Sequence, residues 1–265
     1  VFLGSSPLAT NHPVLPDSSF FMRQLNIVAD GDSWNDYPRI LFTNGGLADH
    51  LSDIMGVPFV NIAHAGDASE ESLGLAKSQR LEKCLPNADI LFWSSGGDDI
   101  AGDQFKIWLN ENTDGDITKA VNWARLNACL DVVMADYEDL LDIRDRIAPG
   151  CLLVTHSYDF PPPEVMGQGV LILGPWLKPG LDYCGWTAPD SQATIVRAML
   201  AAFNARLEAL NAQHGENWLH VNTQGTCEPG DWGNELHLKD SGWRKVAMKI
   251  NLALLPRLDE INGHE

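Results

Sequence analysis

Ile27-Val28-Ala29-Asp30-Gly31-Asp32-Ser33-Trp34 is the stretch whose reading decides the fold. An apolar run stops abruptly at a Gly-Asp-Ser turn, and a helix-like pattern follows. A buried parallel strand would deliver Ser33 to the carboxyl edge of a sheet, where open α/β folds bind their ligands. Near a helix N-terminus, free backbone N–H groups and the macrodipole favour developing negative charge. Asp and Ser are also ordinary N-cap residues. The tripeptide therefore carries a capping reading beside the catalytic one, and the rest of the chain decides between them.

Working outward, short apolar runs predict strands at 24–30, 57–63, 88–94, 151–155 and 218–221. Helical patterns lie between them: 37–55, broken or bent near Gly45-Gly46, then roughly 69–83, 119–147, 190–214 and 241–256. Residues 1–22, rich in Pro, Ser and Asn, read as an extended lead-in to a single domain over 23–265. Two stretches, 100–118 and 156–189, are long for simple connections and read as loop insertions. The alternation of strand and helix predicts a parallel sheet covered on both faces. Ser33, Gly66, Asp98 and His237 each follow a predicted strand, so the topology gathers all four at one sheet edge.

Composition narrows the function classes. The 265 residues carry a formal net charge of −18, which argues against nucleic acid and anionic membrane as partners. No window of eighteen consecutive apolar residues predicts membrane insertion. Val1 follows no basic and apolar leader pattern, which leaves open both a cytoplasmic chain and a secreted one with its leader removed. Cys84, Cys129, Cys151, Cys184 and Cys227 lack metal-site spacing, and Cys184 and Cys227 fall in loops where they could pair. The histidines are scattered without ligand spacing, so no metal is expected. A nucleotide- or redox-binding role fails at the first turn, which is Gly-Asp-Ser-Trp rather than a glycine-rich phosphate loop.

Gly31-Asp32-Ser33, Gly66 after strand two, Gly96-Gly97-Asp98-Asp99 after strand three and the late Asn234-Glu235-Leu236-His237 together resemble the SGNH, or GDSL-type, hydrolase superfamily. The resemblance runs in order over roughly residues 24–256. It implies a flavodoxin-like three-layer α/β/α sandwich with a five-stranded parallel sheet in the order 2-1-3-4-5. It also implies cofactor-free hydrolysis of a small-molecule ester through an acyl-enzyme. Carried over, Ser33 is the nucleophile and His237 its general base. The N–H groups of Ser33 and Gly66 are oxyanion donors, matching the acyl-transfer template.

Two positions depart from the family's pattern. Asp98 stands where an Asn amide usually supplies a third oxyanion donor, and an ionised carboxylate only accepts hydrogen bonds. Either Asp98 is protonated through burial beside Asp99, or it points elsewhere. Losing one such donor typically costs about 10²–10³ in turnover, which predicts a slow or specialised enzyme. Asn234 stands where the acid of Asp-x-x-His is usual. Its amide oxygen can fix the imidazole tautomer but supplies no charge. Asp231 is the substitute acid, with Glu235 behind it. Trp34 is a candidate wall of the acyl pocket, and His156 a candidate substrate contact. The expected function is a serine esterase for small or medium acyl groups, carbohydrate acetyl esterase and thioesterase included. The alternative is a non-catalytic ligand-binding protein on the same scaffold, motivated by Asp98 and Asn234.

Overall fold

The computed structural model describes residues 24–39, 43–170 and 173–263. The lead-in expected over 1–22 lies outside the described residues. Five strands form one parallel sheet: β1 (Ile27–Gly31), β2 (Phe59–Asn61), β3 (Ile90–Ser94), β4 (Leu152–His156) and β5 (Trp218–Val221). Their order is β2-β1-β3-β4-β5, with Ile27 opposite both Phe59 and Ile90. Every residue of β1, β3 and β4 is buried, whereas the edge strand β2 is half-buried to exposed. Continuous burial without polar alternation marks a parallel sheet covered on both faces.

Helices supply the two covering layers. α1 (Leu47–Met55) is followed by α2 (Ser69–Ser72), α3 (Leu75–Cys84), α4 (Gly97–Ile100) and α5 (Trp123–Ile147). α6 (Lys178–Tyr183), α7 (Pro189–His214) and α8 (Asp240–Gly263) complete the chain. α1 packs on α8, and α5 packs on α7. The sandwich and strand order are those expected from the sequence.

The differences are local. The helix expected over 37–55 begins only at Leu47, because Gly45 takes a positive φ of 105° and Gly46 is the extended N-cap. The expected 69–83 helix is two pieces, interrupted at Gly74. The last helix continues past 256, through Pro256, to Gly263. The 100–118 stretch carries 3₁₀ turns at Asp103–Trp108 and Ile117–Lys119, and 156–189 carries α6 and a 3₁₀ turn at Pro163–Val165. All five cysteines are free. Cys184 lies near the Lys106 carbonyl and Cys227 near that of Gly242, so the pair considered above does not form.

One glycine fixes the site's position. Gly31 ends β1 at φ 119°, and a Cβ there would fall 1.8 Å from the Ser94 carbonyl oxygen. Only glycine permits that approach. It lets the Asp32 N–H donate to Ser94 O at 2.8 Å, which carries the chain out of the sheet directly before the serine.

Candidate active site

Ser33 sits on a single helical turn closed by the N–H groups of Asn35 and Asp36 donating to Asp32 O. The expected helix start directly after the serine is this one turn. Buried Asp32 holds it together, accepting from Trp34 N at 3.0 Å, Ser94 Oγ at 2.9 Å and the Tyr158 hydroxyl. Asp32 is thus a turn-stabilising carboxylate. Burial, partly offset by these donors, pushes its pKa up to about 6.

Ser33 Oγ lies 2.8 Å from His237 Nε2. His237 Nδ1 lies 3.1 Å from Asn234 Oδ1. The same oxygen accepts the backbone N–H groups of Leu236 and His237, each at 2.9 Å. Two backbone donors require that this atom be oxygen rather than the amide nitrogen. His237 Nδ1 must then carry the proton, leaving Nε2 as a lone pair facing the serine. A general base requires that tautomer. His237 is buried, and with no carboxylate partner burial pushes its pKa down to about 3. The ring is therefore neutral throughout the ordinary pH range.

Asp231 is not brought to His237. Its carboxylate accepts from Glu228 N (2.9 Å), Ser241 Oγ (2.8 Å) and Lys245 Nζ (2.6 Å), tying the start of α8 to the preceding turn. Glu235 is equally engaged, accepting from Gly167 N at 2.8 Å, Lys178 N at 3.4 Å and the N–H groups of Trp176 and Leu177. Of the three candidate partners, Asn234 alone meets the imidazole. What the sequence reading missed is that Glu235 clamps the 156–189 segment onto the histidine turn. Trp176, held by that clamp, meets the His237 ring edge-on at 5.7 Å.

Among the described residues, the N–H groups of Ser33 and Gly66 donate to no protein acceptor. They are two free donors on loops leaving adjacent strands. Asp98 lines the same cleft as Ser33, and its Oδ2 is enclosed without a hydrogen-bond partner. Burial first, then the nearby Asp32 and Asp99 carboxylates, push the Asp98 pKa up to about 8. At neutral pH it is mostly a carboxylic acid, with a proton to donate. Its neighbour Asp99 turns away and binds Ser69 N and Oγ, both at 2.8 Å.

The cleft opens to solvent, and the space over its walls, open solvent included, is about 560 Å³. Trp34 is one wall, fixed by its indole N–H on Leu236 O at 3.0 Å. His156 does not line it. It is buried behind Trp34, stacked on that ring at 5.2 Å, and burial lowers its pKa to about 4. The substrate contact expected of His156 is instead a packing contact. No described group of His, Cys, Asp and Glu side chains could hold a metal, and no described helix is long and apolar enough to cross a membrane.

A three-layer sandwich in this strand order, with a hydrogen-bonded serine and histidine at its carboxyl edge, has the SGNH, or GDSL-type, hydrolase fold. No family model and no curated protein matches the chain in sequence. Solved structures share its fold. The lipase Lip_vut3 from a goat rumen metagenome is 14% identical, with a TM-score of 0.59 over 88% of this chain and 99% of that one. Phospholipase A1 from Streptomyces albidoflavus NA297 is 14% identical, with a TM-score of 0.54 over 87% and 99%. A carbohydrate esterase family 3 protein from Talaromyces cellulolyticus is 11% identical, with a TM-score of 0.53 over 89% and 99%.

Proposed function

We propose that the chain is a serine ester hydrolase working through an acyl-enzyme. The observation that carries this reading is the 2.8 Å contact between Ser33 Oγ and the unprotonated Nε2 of His237, at the mouth of a cleft. Ser33 Oγ attacks the ester carbonyl carbon while its proton passes to His237 Nε2. The carbonyl π pair moves onto oxygen, where the N–H groups of Ser33 and Gly66 and the Asp98 carboxylic acid stabilise it. Collapse expels the alcohol with the proton from His237. Water, deprotonated by the same nitrogen, then releases the carboxylic acid.

The fold shared with lipases and esterases supports this reading, as does the preset tautomer of His237. The non-catalytic alternative draws on one observation, the absence of a carboxylate behind the histidine. Hydrolysis of p-nitrophenyl esters by the wild type and by Ser33→Ala separates the two. Turnover that disappears with Ser33 upholds the hydrolase. A folded wild type that cleaves no ester and takes up no fluorophosphonate overturns it.

A further inference from the structure

The cleft beside Ser33 differs sharply from a sugar site. One wall is a face of α7, where Val196, Met199 and Leu200 recur at the spacing of one helical stripe. Ile100 and Phe105 from the segment after β3, with Leu177, face into the same space. Three of the four carboxyl groups along it are already engaged. Asp32 holds the serine turn, Asp159 accepts the N–H groups of Phe160, Gly225 and Cys227, and Glu235 clamps the 163–178 segment. Two enclosed polar atoms of lining residues lack partners, Asp98 Oδ2 and the indole nitrogen of Trp232. Beyond those two atoms, sugar hydroxyls placed against the apolar walls would lose water without replacement. A hydrocarbon chain would lose only unfavourable hydration.

Position assigns which half of an ester enters. His237 must hand its proton to the departing alcohol, and His237 is not among the cleft's walls, whereas Ser33 and Asp98 are. The part of the substrate that stays bonded to Ser33 is therefore the part facing the apolar space.

We propose that this cleft is an acyl-chain pocket and that the enzyme prefers esters of medium-chain fatty acids over acetyl esters. The proposal rests on the serine hydrolase reading above. Each methylene buried in such a pocket raises kcat/KM by about fourfold. Lengthening the acyl group from butyrate to octanoate should then raise it at least tenfold, with a ceiling on the order of 200-fold.

Two measurements test it. The first is kcat/KM for p-nitrophenyl acetate, butyrate and octanoate with the wild type, Met199→Trp and Leu200→Phe, each checked for native circular dichroism. A larger side chain on the α7 wall should lower the octanoate-to-acetate ratio by more than tenfold. Acetate cleaved as well as octanoate, or a ratio unmoved in both variants, overturns the acyl pocket while leaving the hydrolase standing. The second is calorimetric binding of sodium octanoate to Ser33→Ala with and without Met199→Trp. Octanoate bound by the first and lost in the second supports the pocket even if no ester is cleaved. Failure of octanoate to bind Ser33→Ala overturns it.

Discussion

Replacing Asn234 by Asp adds the one charge the site lacks and keeps an oxygen facing His237, while the Tyr37 hydroxyl that hydrogen-bonds the Asn234 side chain must turn to donate to it. The new carboxylate oxygen can accept the same three donors, the N–H groups of Leu236 and His237 and His237 Nδ1 at 3.1 Å. In Ser-His-Asp enzymes the reverse change costs about 10⁴ because the amide there imposes the wrong tautomer. Here the amide already holds the right tautomer, so only the charge term changes. Opposite charges about 4 Å apart at an effective dielectric of about 20 interact by about 4 kcal/mol. That would lift His237 from about 3 toward about 6. Part of the gain is offset by desolvating the new carboxylate, so turnover should rise at least tenfold, with a ceiling of about 10³. The assay is the pH dependence of kcat/KM on a p-nitrophenyl ester. In the wild type His237 remains a competent base down to about pH 3, so activity on the acid side ends only where His237 or the fold is protonated. In Asn234→Asp the acid limb should move up to about pH 6. A folded variant whose acid limb does not move, or whose turnover falls, would refute the claim that Asn234 acts on Ser33 through the imidazole.

The alkaline limb tests Asp98. As a donor it works only while protonated, so wild-type activity should fall as pH rises through about 8. Asp98→Asn should abolish that fall and leave rates at pH 6 within a few-fold; an unchanged alkaline limb removes Asp98 from the oxyanion hole. Stability should show a related slope. Burial raises Asp30, Asp32 and Asp98 to about 7, 6 and 8, so the stability they contribute is full below about pH 4 and is lost as pH rises through those values. Burial lowers His156, His220 and His237 to about 4, 4 and 3, so theirs is full above about pH 6.5 and lost as pH falls through those values. Between pH 8.5 and 6.5 the aspartate contribution dominates, and calorimetry should find the melting temperature a few degrees higher at 6.5; a flat or inverted trend counts against it. Glu235→Ala should cost roughly 2–4 kcal/mol in urea unfolding, since it leaves the buried Leu177 N–H and the half-buried N–H groups of Gly167 and Trp176 without their acceptor. The same variant should speed proteolysis within 163–178, and equal cleavage rates would refute the clamp.

What the sequence made legible is what depends on local chemistry. Unbroken apolar runs became buried strands, and Gly31 had to be glycine because the chain leaves the sheet against the Ser94 carbonyl. The order of the motifs along the chain located the serine and histidine, because a parallel sheet delivers every strand's end to one edge. What it hid depends on partners far along the chain. In sequence Asp231 and Asn234 compete for His237; in the fold Lys245 and Ser241 hold Asp231 elsewhere. Glu235 carries no local sign that its partners are the N–H groups of 167 and 176–178. Val196, Met199 and Leu200 have the spacing of core residues, and the cleft in front of them is bounded by segments distant in the chain, among them 97–105 and 232–236.

The two departures from the SGNH pattern also bear on each other. Where that pattern has an amide, this chain has a carboxyl at 98, and where it has a carboxyl, this chain has an amide at 234. On the proposed reading each group serves in its neutral form, a protonated acid that donates to the oxyanion and an amide oxygen that accepts from the imidazole. Neutrality suits this site, because buried Asp32 lies beneath the serine and any further carboxylate would be desolvated beside it. Asp32 and Asp99 help to keep the proton on Asp98, and the lack of charge at 234 leaves the proton off His237 Nε2. On the proposed reading, the pair forgoes imidazolium stabilisation and gives a site whose donor and base are both in working form between about pH 3 and pH 8.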